Sequence, residues 1–548
     1  MRLNLGEITT SLGCSPGESA PWADLVPTGA QIDSRKVQPG NLFFCLPGEH
    51  VDGHDFAFAA AKAGAIAIVA SRNPWGNDAG DAADLVLPPV FLVDNVRHAL
   101  ARVATRHRET CLARIIGITG TAGKTSVKEV LAQVLERRGR TERNPLNLNN
   151  QIGLPVSMLN ASAAAAFWVM EMGISEAGDM DELGEILRPD VGVILNVGDG
   201  HVSGLGELGV AAHKARLLDY IQLGGVAVVS RDYADLNRQV DERRSALARR
   251  GVQVLRFSGS ASVCRDTSSG LLCAPGQDQK SPAPSPKATP SWSDQSAPLV
   301  AGSAVLHDSV HCAAAKHSAD KLKHYRDSDE VYARAAYAGP GVEGGVYKVW
   351  SKDVHFAVTT PFRGDFGSEN VAAIAAVAIK LGLSQEAISE GFASARLPEQ
   401  RFRAERYPRC TLLDDSYNAN PLSSSRMLQA ARSMADEYGQ FLLLVMGEML
   451  ELGSKAESAH EALGETMAAV KPEMVFWKGG QGEAIARGLR KGGYSGKLYP
   501  LSGAQEFDVL LEESDLDNVL VLFKGSRGNK LERLVAVFRE KVSPAGEN

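Results

Sequence analysis

The sequence predicts an α/β protein of three domains: a small N-terminal α/β domain, a central P-loop ATPase-type parallel-sheet domain, and a C-terminal Rossmann-like domain. Three observations carry that expectation. A chain of 548 residues is too long for one core and fits units of roughly 150 residues each. Short apolar runs alternate with helix-period segments through its middle and last parts, the order that builds parallel sheets. At Ile115-Ile116-Gly117-Ile118-Thr119-Gly120-Thr121-Ala122-Gly123-Lys124-Thr125 an apolar run breaks into small residues, a Lys and a Thr, before a helix-period segment through Arg138. That is a strand, a phosphate loop and a helix. Domain boundaries are expected at 1–113, 114–400 and 401–548.

Composition narrows the function classes. Hydrophobic residues make up 44% and charged residues 22%, an ordinary globular balance. The net charge of −7 argues against a general nucleic-acid or membrane surface, so a polyanionic ligand must be held by local Lys, Arg and N–H groups. The seven Cys are scattered without a C-x-x-C pair, which indicates neither a zinc site nor a disulfide framework. No charged-then-apolar leader is seen and no apolar run nears the ~18 residues of a membrane span. A cytoplasmic monomer, working without nucleic acid or membrane, is expected.

In the first domain, Asn41–Leu46, Ala65–Ala70 and Val90–Val93 read as strands. The polar groups Asp33-Ser34-Arg35 and Pro47–His54 flank them, where ligands of α/β domains tend to sit. Solvated turns are the alternative for both.

In the central domain, N–H groups of Gly120, Thr121, Ala122 and Gly123 and of the following helix start, through Ser126, would cradle anionic oxygens. Lys124 adds a point charge and Thr125 offers a hydroxyl to magnesium. A strict G-x-x-x-x-G-K-S/T pattern would need Gly at 118, where this chain has Ile118. A nucleoside triphosphate is still expected. Further strands are predicted at Phe167–Met170, Val191–Leu195 and Val226–Val229, with Glu171 and Asn196 closing two of them and His201 in the Gly-rich loop beyond. Beside a triphosphate, that carboxylate and imidazole make a plausible magnesium site. A helix over Glu207–Leu223 carries Lys214, which on composition alone reads as a solvated surface lysine. From about 258 to 326, Pro, Ser, Ala, Gln and Lys replace the pattern, a composition that buries too little apolar area to offset ordering entropy. Its scattered Cys264, Cys273, His307, His311, Cys312 and His317 match no ligand spacing. Strand alternation resumes over Glu343–Thr359. An Ala-rich helix then runs from Asn370 to Gly382, and Ser384 caps the next.

The last domain repeats strand and helix, with strands at Thr411–Leu413, Phe441–Met446, Met474–Phe476 and Val519–Phe523. Its first loop, Asp414-Asp415-Ser416-Tyr417-Asn418-Ala419-Asn420-Pro421, is too dense in hydrogen-bonding side chains for a plain turn. Asn420 is the expected cap and Pro421 the first residue of the following helix.

Taken together these residues resemble the Mur ligase family of cell-wall enzymes across all three domains except the insertion. The resemblance rests on Asp33-Ser34-Arg35 with Asp52-Gly53-His54, Gly117–Thr125, Asn149-Asn150-Gln151-Ile152-Gly153-Leu154-Pro155, Glu171-Met172-Gly173, His201 and Lys214. Asp415–Pro421, Gly447–Gly453 and Lys524–Gly528 are similar to the branch that joins D-alanyl-D-alanine to UDP-N-acetylmuramoyl-tripeptide, and the resemblance implies those two substrates and ATP. It further implies a nucleotide-sugar-binding first domain with Ser34 and Arg35 on the substrate, and Asn149, Asn150, Asn418 and Asn420 as further substrate contacts. Thr125 and Glu171 would hold one magnesium ion and His201 a second, with Lys214 carbamylated to bridge them. Asn370 would contact adenine, while Arg401 and Asp415 would reach the nucleotide from the third domain. Lys124, His201, Lys214 and Arg401 are the expected catalytic set. Departures from the family pattern fall at Phe366-Gly367, Gln400 and Ala215-Arg216. Rival readings are another Mur-type or folylpolyglutamate-type amide ligase, and a nucleotide-binding scaffold without turnover.

The composition of the insertion makes a direct prediction. Limited proteolysis should cut first between Ser258 and Arg326, and the nicked protein should keep its turnover; loss of turnover on cutting there alone would contradict the reading.

Overall fold

Runs of Val, Ile, Leu and Phe that are apolar at every position cannot expose one face to water, so they form strands covered on both sides. The structure, a computed structural model, describes residues 1–14, 20–48, 50–75, 86–198, 209–259, 331–341, 344–352, 354–514 and 516–543. Among these residues the strands assemble into three sheets.

The first sheet is parallel throughout and ordered β1 (Gly29–Gln31), β2 (Asn41–Phe44), β3 (Ala67–Ala70), β4 (Val90–Leu92). The second contains β5 (Arg114–Thr119), β6 (Thr141–Arg143), β7 (Phe167–Glu171), β8 (Val191–Ile194), β9 (Val226–Ser230), β10 (Gln253–Gly259), β11 (Ala333–Pro340), β12 (Gly345–Ser351) and β13 (Val354–Thr360). Its order is β13-β12-β11-β10-β9-β8-β5-β7-β6, parallel from β6 to β11 and antiparallel through β12 and β13. The third holds β14 (Arg403–Arg406), β15 (Cys410–Asp415), β16 (Phe441–Gly447), β17 (Met474–Lys478), β18 (Lys497–Pro500) and β19 (Val519–Lys524). Their order is β14-β15-β19-β16-β17-β18, with only the edge strand β14 antiparallel.

Two positions in this topology matter for chemistry. β5 lies between β7 and β8, and β19 between β15 and β16, so each is a switch point where a crevice opens beyond the strand ends. One face of the second sheet is covered by the helices Lys124–Leu135 and Gly367–Lys380, through Val127, Val130, Leu131 and Val134 from the first and Val371, Ile374 and Val377 from the second. The opposite face shares a continuous apolar core with the first sheet, running from Leu42 and Phe44 through Leu100 and Val103 to Trp168 and Met170. Asn160 seals that junction by bonding both backbone groups of Ala30.

The structure corrects several sequence expectations. The strand alternation expected over Glu343–Thr359 takes the form of a hairpin, β12 and β13, joined to β11, which starts at Ala333 and was not foreseen. Glu343 itself lies outside the described residues. β10 continues through Gly259, so Ser258 belongs to a strand rather than to the insertion; the rest of 258–326 lies outside the described residues. Of the helix expected over Glu207–Leu223, Gly209–Ala215 is helical and Arg216–Tyr220 forms a tighter turn, so it ends earlier than expected; Glu207 and Leu208 lie outside the described residues.

His107, on the helix Val96–Glu109, is fully buried 5.7 Å from the Trp168 ring, and its Nδ1 has no partner. Burial, with the nearby N-terminal ammonium and Arg2, pushes its pKa down to about 4. In the unfolded chain it would titrate near ~6.5. The unfolded state therefore binds the extra proton between these values, and stability falls as pH drops through that window. Denaturant titrations from pH 7 to pH 4 should lose up to ~1.4 kcal/mol per pH unit from this residue, and His107→Phe should flatten that slope.

Candidate active site

At the end of β5 the apolar run gives way to Gly120-Thr121-Ala122-Gly123, and a helix begins at Lys124. Gly123 is the cap of that helix with φ +81°, a left-handed backbone, and a side chain there would stand 2.9 Å from Asn370 Oδ1. Glycine is required on both counts. The loop is pinned from β8, because Ala122 N–H donates to Asn196 Oδ1 at 2.8 Å and Thr121 N–H donates to the Asn196 carbonyl at 3.1 Å. Asn196 Nδ2 returns a bond to the Ala122 carbonyl at 3.0 Å, so its side chain holds both backbone polar groups of one residue. Ser126 lies in the first helical turn beside Thr125.

The charges around this loop are concentrated and out of balance. Lys124 Nζ donates to the Gly120 carbonyl at 2.9 Å. Burial pushes its ammonium below the ordinary lysine range, opposed by Glu171 and reinforced by Arg401. Lys214, expected from composition to be solvated, is only 2% exposed. Its pKa is driven well down by burial and then by Lys124, with Glu171 again pulling the other way. Two lysines and an arginine therefore gather around one carboxylate, with Lys214 and Glu171 buried and Lys124 and Arg401 partly so. Such a site favours a polyanion strongly.

Glu171 closes β7 and is itself almost fully buried. Thr125 Oγ1 donates to its Oε2 at 2.8 Å, and Asn149 Nδ2 donates to its Oε1 at 2.7 Å. Its backbone is held by Asn144, whose Oδ1 accepts the Glu171 N–H at 2.8 Å and whose Nδ2 donates to the Glu171 carbonyl at 3.1 Å. Beneath that turn, Lys128 is completely buried and donates to the carbonyls of Asn144 at 2.6 Å and Leu146 at 3.2 Å, with Glu129 at 3.1 Å. Neither Lys128 nor Asn144 was picked out from the sequence. Their signal was faint: a lysine on the apolar face of a predicted helix. Asn150 sits next in the chain, its Oδ1 accepting the N–H groups of Ile152 and Gly153 and so starting the helix Gly153–Asn160.

The third sheet contributes from the other side. Arg401 reaches Thr125 Oγ1 from its Nη2 at 3.3 Å, and its guanidinium lies 4.1 Å over the Tyr417 ring, a cation–π contact. Arg527 stacks on the same ring at 5.5 Å and bonds Gln400 at 3.0 Å. Asp415 accepts the Phe402 N–H at 3.1 Å and pairs with the buried Lys524 at 2.6 Å, so it fixes the backbone beside Arg401. Asn418 supplies its carbonyl to Lys524 at 3.0 Å. Asn420 caps the helix Pro421–Tyr438, as expected, and also donates to the Thr121 carbonyl at 3.1 Å, gripping the phosphate loop itself.

Asn370 is buried against Gly123, and its Oδ1 has no partner. Ser34 and Arg35 belong to the first domain and are not brought to the loop; they form a tight turn after β1, with Arg35 exposed and paired to Asp33 at 2.8 Å. His201 lies outside the described residues. Among the described residues no three His, Cys, Asp or Glu side chains cluster as a metal cage. What is present is one carboxylate and one hydroxyl at a phosphate loop. That donor set fits magnesium, which takes few protein oxygens and completes its shell with phosphate and water.

Family models match three stretches of the chain: "Mur ligase family, catalytic domain" over residues 27–108, "Mur ligase middle domain" over 118–267, and "Mur ligase, glutamate ligase domain" over 400–527. The UDP-N-acetylmuramoyl-tripeptide–D-alanyl-D-alanine ligase of Mycobacterium bovis is 30% identical over 456 residues, 79% of this chain and 74% of that one. This chain belongs to the Mur ligase family. The ligase of the same description from Escherichia coli K12 is 27% identical over 521 residues, covering 94% of this chain and 95% of its own. In fold, the chain is similar to the MurF ligase of Thermotoga maritima crystallised with ADP, with a TM-score of 0.66 at 22% identity, covering 95% of this chain and 99% of the other. Within this Mur ligase, then, Lys128 and Asn144 stand beneath the turn at Asn144–Leu146 and the Glu171 backbone. Lys128→Met would leave the Asn144 and Leu146 carbonyls without their buried donor. The variant should lose about 3 kcal/mol in urea unfolding.

Proposed function

We propose that this Mur ligase couples ATP hydrolysis to amide formation, adding D-alanyl-D-alanine to UDP-N-acetylmuramoyl-tripeptide and releasing ADP and phosphate in cell-wall precursor synthesis. The observation that carries the reading is the gathering of Lys124, Lys214 and Arg401 around Glu171 at the phosphate loop. The named relatives give the substrates, and the ADP-bound fold relative supports the nucleotide.

The chemistry asks for what these residues supply. A carboxylate is a poor electrophile, so the γ-phosphoryl group passes to the peptide carboxylate, breaking its bond to ADP and forming an acyl phosphate. The dipeptide amine then attacks the acyl carbon, loses a proton, and expels inorganic phosphate. Phosphoryl transfer is helped by positioning and charge neutralisation rather than by covalent partners. Lys124 and the loop N–H groups would hold the β- and γ-oxygens, and Arg401 would cover the transferring group from the third domain. Thr125 and Glu171 would hold magnesium, which neutralises phosphate charge when bound. Asn370, whose carboxamide oxygen is orphaned beside Gly123, remains available to the nucleotide. Ser34, Arg35, Asn149, Asn150, Asn418 and Asn420 are proposed on the substrate side. The domains proposed for these roles are 1–113, 114–400 and 401–548.

Lys214 is proposed as a carbamate. Burial favours its neutral amine, whose nitrogen can attack carbon dioxide; the N–C bond forms and a proton leaves, turning a buried neutral amine into an anionic carbamate. The site would gain a second carboxylate beside Glu171.

Phosphate release measured with each substrate omitted in turn tests the function. Release should need ATP, the nucleotide-linked tripeptide and the dipeptide together, and Lys124→Ala should lower kcat at least ~1000-fold while remaining folded. A protein that hydrolyses ATP equally well without either peptide, or a fully active Lys124→Ala, would overturn it.

A further inference from the structure

The helix Pro421–Tyr438 of the third sheet crosses the second sheet's site, and its polar attachments do not all serve the same end. Its cap, Asn420, touches the phosphate loop directly. Farther along, Arg426 inserts into the central domain. Its Nη2 donates to Glu369 Oε2 at 2.7 Å and to the Tyr233 hydroxyl at 2.5 Å. The Glu369 side chain is 5% exposed and the Arg426 side chain 18%. Burial and the Glu369 charge push the Tyr233 hydroxyl well above its ordinary range, so it stays a neutral partner. At the end of the helix, Glu437 stands 3.6 Å from Arg363, a second charged contact across the same interface.

The Glu369 carboxylate does more than receive Arg426. Its Oε2 also accepts Asn196 Nδ2 at 3.3 Å, and its Oε1 accepts Ser230 Oγ at 3.3 Å. Asn196 is the side chain that holds both polar groups of Ala122 in the phosphate loop. A continuous hydrogen-bonded path therefore runs from a helix of the third sheet, through Arg426, Glu369 and Asn196, to the backbone that would cradle phosphate. The Arg363–Glu437 contact joins the same two bodies without that path.

We propose that Arg426 and Glu369 are positioning residues that make the geometry of the phosphate loop depend on the docking of the C-terminal domain. The proposal rests on the nucleotide-binding function above. Taking away Arg426 leaves the Glu369 carboxylate buried without its cation, a state relieved only by protonation or by admitting water. Either relief changes the acceptor offered to Asn196, and Asn196 then cannot hold Ala122 as before. The loop N–H groups lose their preset direction, and nucleotide affinity falls even though neither Arg426 nor Glu369 need touch the nucleotide.

Calorimetric titration with Mg·ADP tests the proposal on the full chain without any turnover. Arg426→Met should weaken binding about 10-fold or more, whereas Arg426→Lys, which keeps the cation but not the fork, should recover most of it. Glu437→Gln, which loosens the interface elsewhere, should stay within about 2-fold of the unaltered chain. Equal weakening by Arg426→Met and Glu437→Gln would reduce the pair to a generic interface contact and overturn the proposal. So would unaltered affinity in Arg426→Met. If Arg426→Met does not fold by circular dichroism, Glu369→Gln takes its place with the same expected weakening. Failure of the unaltered chain to bind Mg·ADP would instead strike the proposed function.

Discussion

The site of this protein is arranged around an electrostatic imbalance: three basic side chains, one buried and two partly buried, surround one buried carboxylate at the point where a parallel sheet changes direction. A buried charge is tolerated only where partners compensate it, and the compensation provided by protein groups here is incomplete. Lys124 is turned back onto the Gly120 carbonyl, and Lys214 is pressed toward its neutral form by burial and then by Lys124. The missing negative charge is of the kind that a triphosphate brings. The surrounding fold can be read as the framework that holds this arrangement open against its own repulsion.

That framework is made of backbone polar groups gripped by side chains. Asn196 clasps both backbone groups of Ala122, Asn144 clasps both of Glu171, and Asn420 reaches Thr121 from another domain. Carboxamides suit the task because each carries a donor and an acceptor at the spacing of a backbone unit. With these contacts in place, the loop needs few glycines, and the Ile118 that departs from the strict phosphate-loop pattern sits harmlessly in β5. Arg401 and Tyr417 extend the same principle to the third domain, where an aromatic face sets the direction of a guanidinium.

Much of this was legible in the sequence, for identifiable reasons. The apolar runs of β5, β7, β8 and β9 are short, continuous and punctuated by polar residues, so both their existence and the ligand end of the sheet could be read directly. The phosphate loop carries its chemistry in adjacent residues. Elements whose residues give weak local signals escaped. β11 begins Ala-Arg-Ala-Ala, without β-branched residues, and β14 reads Arg-Ala-Glu-Arg, and both are strands because a neighbouring strand pairs with them. The Arg426–Glu369 pair spans two domains and carries no local pattern. Lys214 misled composition outright, since a lysine on a polar helix reads as solvated until the fold closes over it.

The pairing of β10 with β11 has its own implication for anyone wishing to pare the chain down. The two are parallel neighbours, with Phe257 beside Ala333 and Gly259 beside Ala335. A hairpin turn cannot connect strands that point the same way; the backbone must leave one end of the sheet and come back to enter at the other, which takes about a dozen residues at least. The connection between β10 and β11 therefore cannot be abolished in length, and a trimmed enzyme must retain a bridge of about a dozen residues for the antiparallel edge of its central sheet to form.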